Sequence, residues 1–284
     1  PLRLVGSEMC IRDRQYALNF TSPMFFVGCR FAVAALTLLL ISFKSMKGVT
    51  LKDLGAGTAI GVVIVGGYGT QTIGLQTIPS SESAFLTALY VPLVPILMWL
   101  IFRKTPHVMT WVGAALAFAG LVLLTGNGFE QISLSFGQLL TVLGSVAIAL
   151  EIIFISYFAG KVNLRRVTII QLAVASLLSF AVMPVVGEHT IPTFSWPLVL
   201  LAVTLGLASA LIQFVMNWAQ RMVDPSRAAI IYAGEPVWAG VIGRIAGERL
   251  PVIALFGGAL VVLGVLVSEL KFKLPIKKTK RIRE

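Results

Sequence analysis

Residues 83–125, SAFLTALYVPLVPILMWLIFRKTPHVMTWVGAALAFAGLVLLT, and residues 227–269, RAAIIYAGEPVWAGVIGRIAGERLPVIALFGGALVVLGVLVSE, read as two copies of one plan. At a constant shift of 144, Pro92 falls on Pro236, Gly113 on Gly257, Ala115 on Ala259, Leu116 on Leu260 and Gly120 on Gly264. The shift extends upstream to Leu54 on Leu198, with Gln76 meeting Gln220. At a shift of 141, Ala32-Val33-Ala34 meets Ala173-Val174-Ala175 and Leu36 meets Leu177. Both blocks are apolar and carry a proline inside a membrane-length run. Paired broken helices in a duplicated apolar bundle point to a midplane binding site of the kind secondary transporters use.

Composition places the chain in a membrane. Apolar residues make up 57% and charged residues only 12%, which an ordinary soluble domain does not tolerate. The mean hydropathy is +0.91. The net charge of +11 is not a nucleic-acid footprint, because seven Lys and Arg sit in the last 14 residues and most others flank apolar runs. Nine stretches can cross a hydrocarbon core of about 30 Å: 22–43, 54–77, 83–102, 108–125, 136–159, 167–187, 196–220, 228–246 and 251–269. This predicts an all-α polytopic membrane protein in one compact bundle. No period-2 alternation suggests an outer-membrane barrel.

The loops carry an orientation signal. Segments 44–53, 103–107, 160–166, 221–227 and 270–284 hold 17 Lys and Arg, whereas 78–82, 126–135, 188–195 and 247–250 hold only Arg249. The positive-inside rule makes the first set cytoplasmic, so a multi-pass protein of the cytoplasmic (inner) membrane is expected, with its C-terminus inside.

The second copy, 136–269, has five helices and the first, 15–125, only four. Helix 136–159 lacks a partner, and Tyr157 falling on Tyr16 marks where the end of one would be. An odd number of helices per copy makes tandem copies insert with opposite topologies, giving two inverted five-helix repeats, the first without its first helix. Pro1–Arg14 carries no helical period and reads as a non-native leader, similar to translated adapter sequence. Residues 270–284 form a basic cytoplasmic tail. With Cys10 set aside, Cys29 stands alone and no disulfide is expected.

The pieces that carry a family likeness are Arg30-Phe31, the run Ser83 to Pro92, Ala228-Ala229, Glu235-Pro236-Val237, Gly247-Glu248-Arg249-Leu250 and Gly257 to Gly264. In this order the chain resembles the EamA-like family of the drug/metabolite transporter superfamily over residues 15–269. Arg103-Lys104-Thr105 stands where the first copy would have Gly-Glu-Arg. The resemblance implies ten helices in two inverted repeats, and a carrier of amino acids or related metabolites, commonly in the export direction.

Polar residues within the spans nominate a site, since a charge at a helix centre costs about 2.5–3.5 kcal/mol. Ser209, Gln213, Asn217 and Gln220 form one stripe of helix 196–220, either lining a cavity or bonding neighbouring helices. Ser83, Thr87 and Tyr90 run towards a break at Pro92 and Pro95; Tyr68, Gln71 and Thr72 share one side of helix 54–77. Tyr232, Glu235 and Trp238 stand beside Pro236. Tyr68, Gln71, Thr87, Tyr90, Ser209, Gln213, Asn217, Tyr232 and Trp238 are therefore the candidate substrate contacts, for a small zwitterionic or mixed polar–apolar solute. Arg30 could hold a substrate carboxylate or neutralise Glu151 or Glu235. Glu151 lies on the side of Gly144 and Ala147, away from Gln138, Thr141 and Ser145, which suits contact with another helix. Glu235 either titrates or is structural. Gly113 and Gly120, like Gly257 and Gly264, are spaced for close helix approach. Trp99, Trp111 and Trp196 suit interfacial anchors.

Against an enzyme, His107 and His189 fall on opposite sides of the membrane, and the sequence has no Gly-x-Ser-x-Gly, no His-Glu-x-x-His and no phosphate-cradling loop. No cofactor, metal site or catalytic residue is expected. The partners expected are the bilayer and a small-molecule substrate, with no nucleic acid. A channel or a structural bundle is the competing reading.

Overall fold

The computed structural model describes residues 16–18, 21–103, 108–124, 134–190, 192, 195–222, 225, 228, 232 and 252–269. Glu235, Pro236 and Trp238 lie outside them, as do the leader, the basic tail and most of the span expected at 228–246. Among the described residues every regular element is helical: α1 Pro23–Ser42, α2 Leu51–Gly74, α3 Ser80–Thr87, α4 Tyr90–Phe102, α5 Val108–Leu124, α6 Phe136–Phe158, α7 Leu164–Val182, α8 Trp196–Ala219 and α9 Val252–Glu269.

Local chemistry sets many of the helix starts. Thr50 and Asp53 form a reciprocal capping box at α2, and Ser135 and Gln138 form another at α6. The Asn163 side chain accepts from the Arg165 and Arg166 N–H groups at the head of α7. Prolines stand in the first turns of α1 and α8, where a missing N–H costs nothing.

The expected helix 83–102 is divided. A turn at Ala88-Leu89 separates α3 from α4, so the break precedes Pro92, which occupies the third position of α4, while Pro95 lies inside that helix. The cause is steric and local. A helical Pro92 would drive its ring into the carbonyl four residues back, that of Ala88, and could donate nothing to it. The Ala88 carbonyl instead accepts from the Val91 N–H at 3.1 Å.

Among the described residues, five helices are long and apolar enough to cross a membrane: Pro23–Met46, Glu82–Phe102, Phe136–Phe158, Leu164–Val186 and Trp196–Ala219. The 24 residues of α2 have the length, but glycines and polar groups dilute its hydropathy. The burial pattern is that of a protein in lipid. Leu40 is 80% and Leu211 65% exposed, while Thr168, Gln171 and Ser145 are fully buried. This is a multi-pass membrane protein.

The interior is built from α7 packed on α1 and α2, α8 on α1, α6 on α2 and α4, and α5 on α9. Phe31, Ile60, Ile64 and Leu172 fill its largest apolar cluster. Several close approaches recur in matched form. A methyl group placed on Gly120 would stand 2.5 Å from Gly257 O and 2.7 Å from Val261 N; on Gly264 it would stand 2.5 Å from Gly113 O and 2.6 Å from Ala117 N. Each contact is the image of the other under the shift of 144. Likewise a methyl on Gly61 would meet Gln171 O at 2.7 Å and Val174 Cβ at 2.8 Å, and one on Gly206 would meet Arg30 O at 2.9 Å and Val33 Cβ at 2.7 Å. Arg30 and Gln171, like Val33 and Val174, are partners at the shift of 141.

Two carboxylates tie helices together by their ends. Asp53, in the first turn of α2, accepts from the Asn163 N–H at 3.0 Å and from Arg166 at 3.3 Å. Arg166 also donates to the carbonyls of Ser45 at 2.7 Å and Lys47 at 2.9 Å. Glu188, between α7 and α8, accepts from the Met24 N–H at 2.9 Å and the Phe25 N–H at 3.2 Å. It satisfies donors that the start of α1 leaves open, where the helix dipole favours negative charge. Asp53 from the first turn of α2, and Glu188 from the segment joining α7 to α8, each supply an anion to the head of a helix far away in the chain.

Candidate functional site

The face of α8 holding Ser209, Gln213, Asn217 and Gln220 turns wholly inward; all four are buried. Gln213 sits at its middle and is bonded on both sides of its amide. Its Nε2 donates to Glu151 Oε1 of α6 at 2.9 Å, and its Oε1 accepts from Gln171 Nε2 of α7 at 2.9 Å. Four residues earlier, Ser209 Oγ accepts from Arg30 Nε of α1 at 2.5 Å. A polar line thus runs across α1, α6, α7 and α8.

Arg30 is 3% exposed, and its guanidinium lies 5.7 Å from the ring of Phe31 and 5.6 Å from that of Tyr68. The two rings meet edge to face at 5.4 Å. Aromatic faces compensate a desolvated cation, and Arg30 uses them with a hydroxyl rather than a carboxylate. Among the described residues it makes no ion pair with Glu151; the ion pair there is Arg166 with Asp53. The Glu235 alternative lies outside the described residues.

The other candidates fall into two groups. Gln71 Nε2 donates to Thr87 Oγ1 at 2.8 Å, and Thr87 donates to the Ser83 carbonyl at 2.7 Å, which joins α2 to α3. Tyr90 and Tyr232 share an apolar cluster with Ile152 and Ile153 on α6. The Tyr232 hydroxyl accepts from Gln220 Nε2 at 3.5 Å, and Gln220 Oε1 accepts from Ser156 at 3.1 Å. Asn217 donates back to the Gln213 carbonyl at 2.9 Å and lines a crevice of about 10 Å³ with Ile60 and Ile155. That volume holds at most a water molecule.

Gln171 escaped the sequence reading. It is fully buried, and its Oε1 has no hydrogen-bond partner among the described residues. The shift of 141 that pairs Ala32 with Ala173 also pairs Arg30 with Gln171, so the repeat contained the signal. Both residues aim at α8, one at Ser209 and one at Gln213. Glu151 of α6 reaches the α8 stripe through the long Gln213 side chain, which donates to it.

The EamA-like transporter family model matches residues 14–126 and again 135–270. The chain belongs to this family. Among its relatives, an uncharacterized transporter of Archaeoglobus fulgidus is 29% identical over 259 residues, covering 90% of this chain and 79% of its own length. The uncharacterized inner membrane transporter YedA of Escherichia coli K12 is 28% identical over 263 residues, 90% of this chain and 84% of that protein. A solved crystal structure aligns with a TM-score of 0.64 at 18% identity, covering 94% of this chain and 95% of the other, so the fold is shared. This EamA-like protein is a membrane transporter.

Proposed function

We propose that this EamA-like protein is a secondary carrier that moves a small amino-bearing metabolite, an amino acid or close relative, outward across the cytoplasmic membrane. It would work by alternating access between two inverted halves, with nine spans in this chain and its C-terminus in the cytoplasm. The observation that carries the reading is the buried line Arg30–Ser209 and Gln171–Gln213–Glu151. It offers a cation for a carboxylate, a carboxylate for an ammonium group, and at Gln171 Oε1 an acceptor with no donor. A buried acceptor left without a donor is costly, and an incoming N–H would satisfy it.

The inverted arrangement is supported by contacts that exchange under the repeat shifts, Gly120 with Gly257 and Gly264 with Gly113. The orientation is supported by the basic-residue count, and the inner-membrane setting by the name of the Escherichia coli relative. The burial of Ser209, Gln213, Asn217 and Gln220 suits one end state of such a cycle.

Counterflow in proteoliposomes, with a panel of labelled amino acids, tests the proposal. Saturable exchange is expected, with Gln213→Ala lowering it roughly tenfold, the scale of one lost charge-assisted bond. Flux rising linearly with concentration would indicate a channel, and no flux with any amino-bearing solute would reject the carrier reading.

A further inference from the structure

Arg165 stands at the head of α7, with its side chain exposed and joined by no hydrogen bond or ion pair to any described residue. This contrasts with its neighbour Arg166, which is held by Asp53 and two carbonyls. Arg165 also borders two hollows at once. On one side is a polar recess of about 440 Å³ lined with Ser45, Asn163 and Arg221. On the other is an apolar groove of about 420 Å³ between α1 and α8, lined with Leu38, Ile41, Leu207, Leu211 and Phe214. Arg221 is steadied there by its bond to the Val162 carbonyl at 3.1 Å.

The dimensions fit one kind of molecule. Leu207 lies about 20 Å along α8 from Arg221 at 1.5 Å per residue, slightly more than the roughly 15 Å depth of one hydrocarbon leaflet. The groove therefore starts at the bundle end where the two cations lie and runs towards the bilayer centre. Its outer rim is aliphatic and exposed at Ile41 and Leu211, while Leu38 and Ala210 are buried at its base. We infer that this is a seat for an anionic phospholipid, with its phosphate between Arg165 and Arg221 and an acyl chain along the α1–α8 groove. The groove abuts the polar line, since Ala210 at its base separates Ser209 from Leu211, so an occupied seat would brace α8 against α1.

Native mass spectrometry of the full chain in detergent, titrated with phosphatidylglycerol or phosphatidylcholine, tests the seat. Phosphatidylglycerol should be retained in preference. Arg165→Gln should weaken its binding about fivefold, the scale of one basic side chain at an anionic surface. Leu211→Trp, which obstructs the groove without touching the charge, should weaken it too. Both positions are exposed, and thermal unfolding of the same samples reports whether the bundle is intact. Equal retention of the two lipids by the wild type would overturn the inference. So would phosphatidylglycerol binding unchanged in Arg165→Gln, or full competition by glycerol phosphate, which would mark a headgroup site without a chain.

Discussion

Gln213 is the residue on which the interior line turns, because its one amide both accepts from Gln171 and donates to Glu151. Gln213→Leu should leave two buried polar groups without partners. The cost is about 1–3 kcal/mol, falling towards the lower end because hydrogen bonds within membrane bundles average about 0.6 kcal/mol. Glu151→Gln keeps an acceptor oxygen in place and should change thermal stability in detergent far less; equal losses for the two would argue against this division of roles. Asp53 gives a pH prediction. Burial pushes its carboxyl up, but the N–H groups of Asn163 and Thr50, the Thr50 hydroxyl and Arg166 together hold it below its ordinary value of 3.8. A lowered folded-state value means stability fully present above the ordinary value and lost as pH falls through the folded one. Melting temperature should thus be flat from neutrality to the ordinary range and drop below it, and Asp53→Asn should lower the plateau and flatten the drop. The stripe on α8 was legible because its spacing is purely local. Gln171 was not, because a lone glutamine on an apolar helix becomes notable only once its place opposite Arg30 in the repeat is known.

Among the elements, α5 and α9 meet closely, carbonyl against glycine, at Gly120 and Gly264. Gly264→Leu should force them apart at about 1–3 kcal/mol, the usual cost of overpacking. Gly120→Leu should cost a similar amount, because its contact is the repeat image of the first; thermal unfolding of the two variants side by side checks this. A large loss in one with none in the other would remove the matched packing as an explanation. Helix positions were readable from hydropathy and caps to within a few residues, as at 54–77 against Leu51–Gly74 and 196–220 against Trp196–Ala219. The interruption of helix 83–102 was readable as a fact but misplaced by several residues. A proline acts on the carbonyl behind it, so the chain yields at Ala88 and not at the ring.

For the whole molecule, the distribution of basic residues predicts that a cysteine introduced in 126–135 is labelled from outside intact cells, and one in 160–166 only after permeabilisation. The reverse pattern would invert the orientation proposed above. The architecture of a polytopic bundle could be read from composition because lipid demands it. Which polar faces would meet could not, since that depends on helix rotations that only the packed interior fixes. The two carboxylate ties add one more consequence. Asp53 completes the head of a helix that begins at Leu164, and Glu188 completes the head of one that begins at Pro23, so each half of the chain keeps its partner's missing piece. Cut between 125 and 135 and made as two polypeptides, neither fragment should persist alone in the cell, whereas co-synthesis should restore a complex that survives purification through a tag on either one. Glu188→Ala in the second fragment should weaken that complementation more than it weakens the uncut protein, where the covalent link keeps the two ends together.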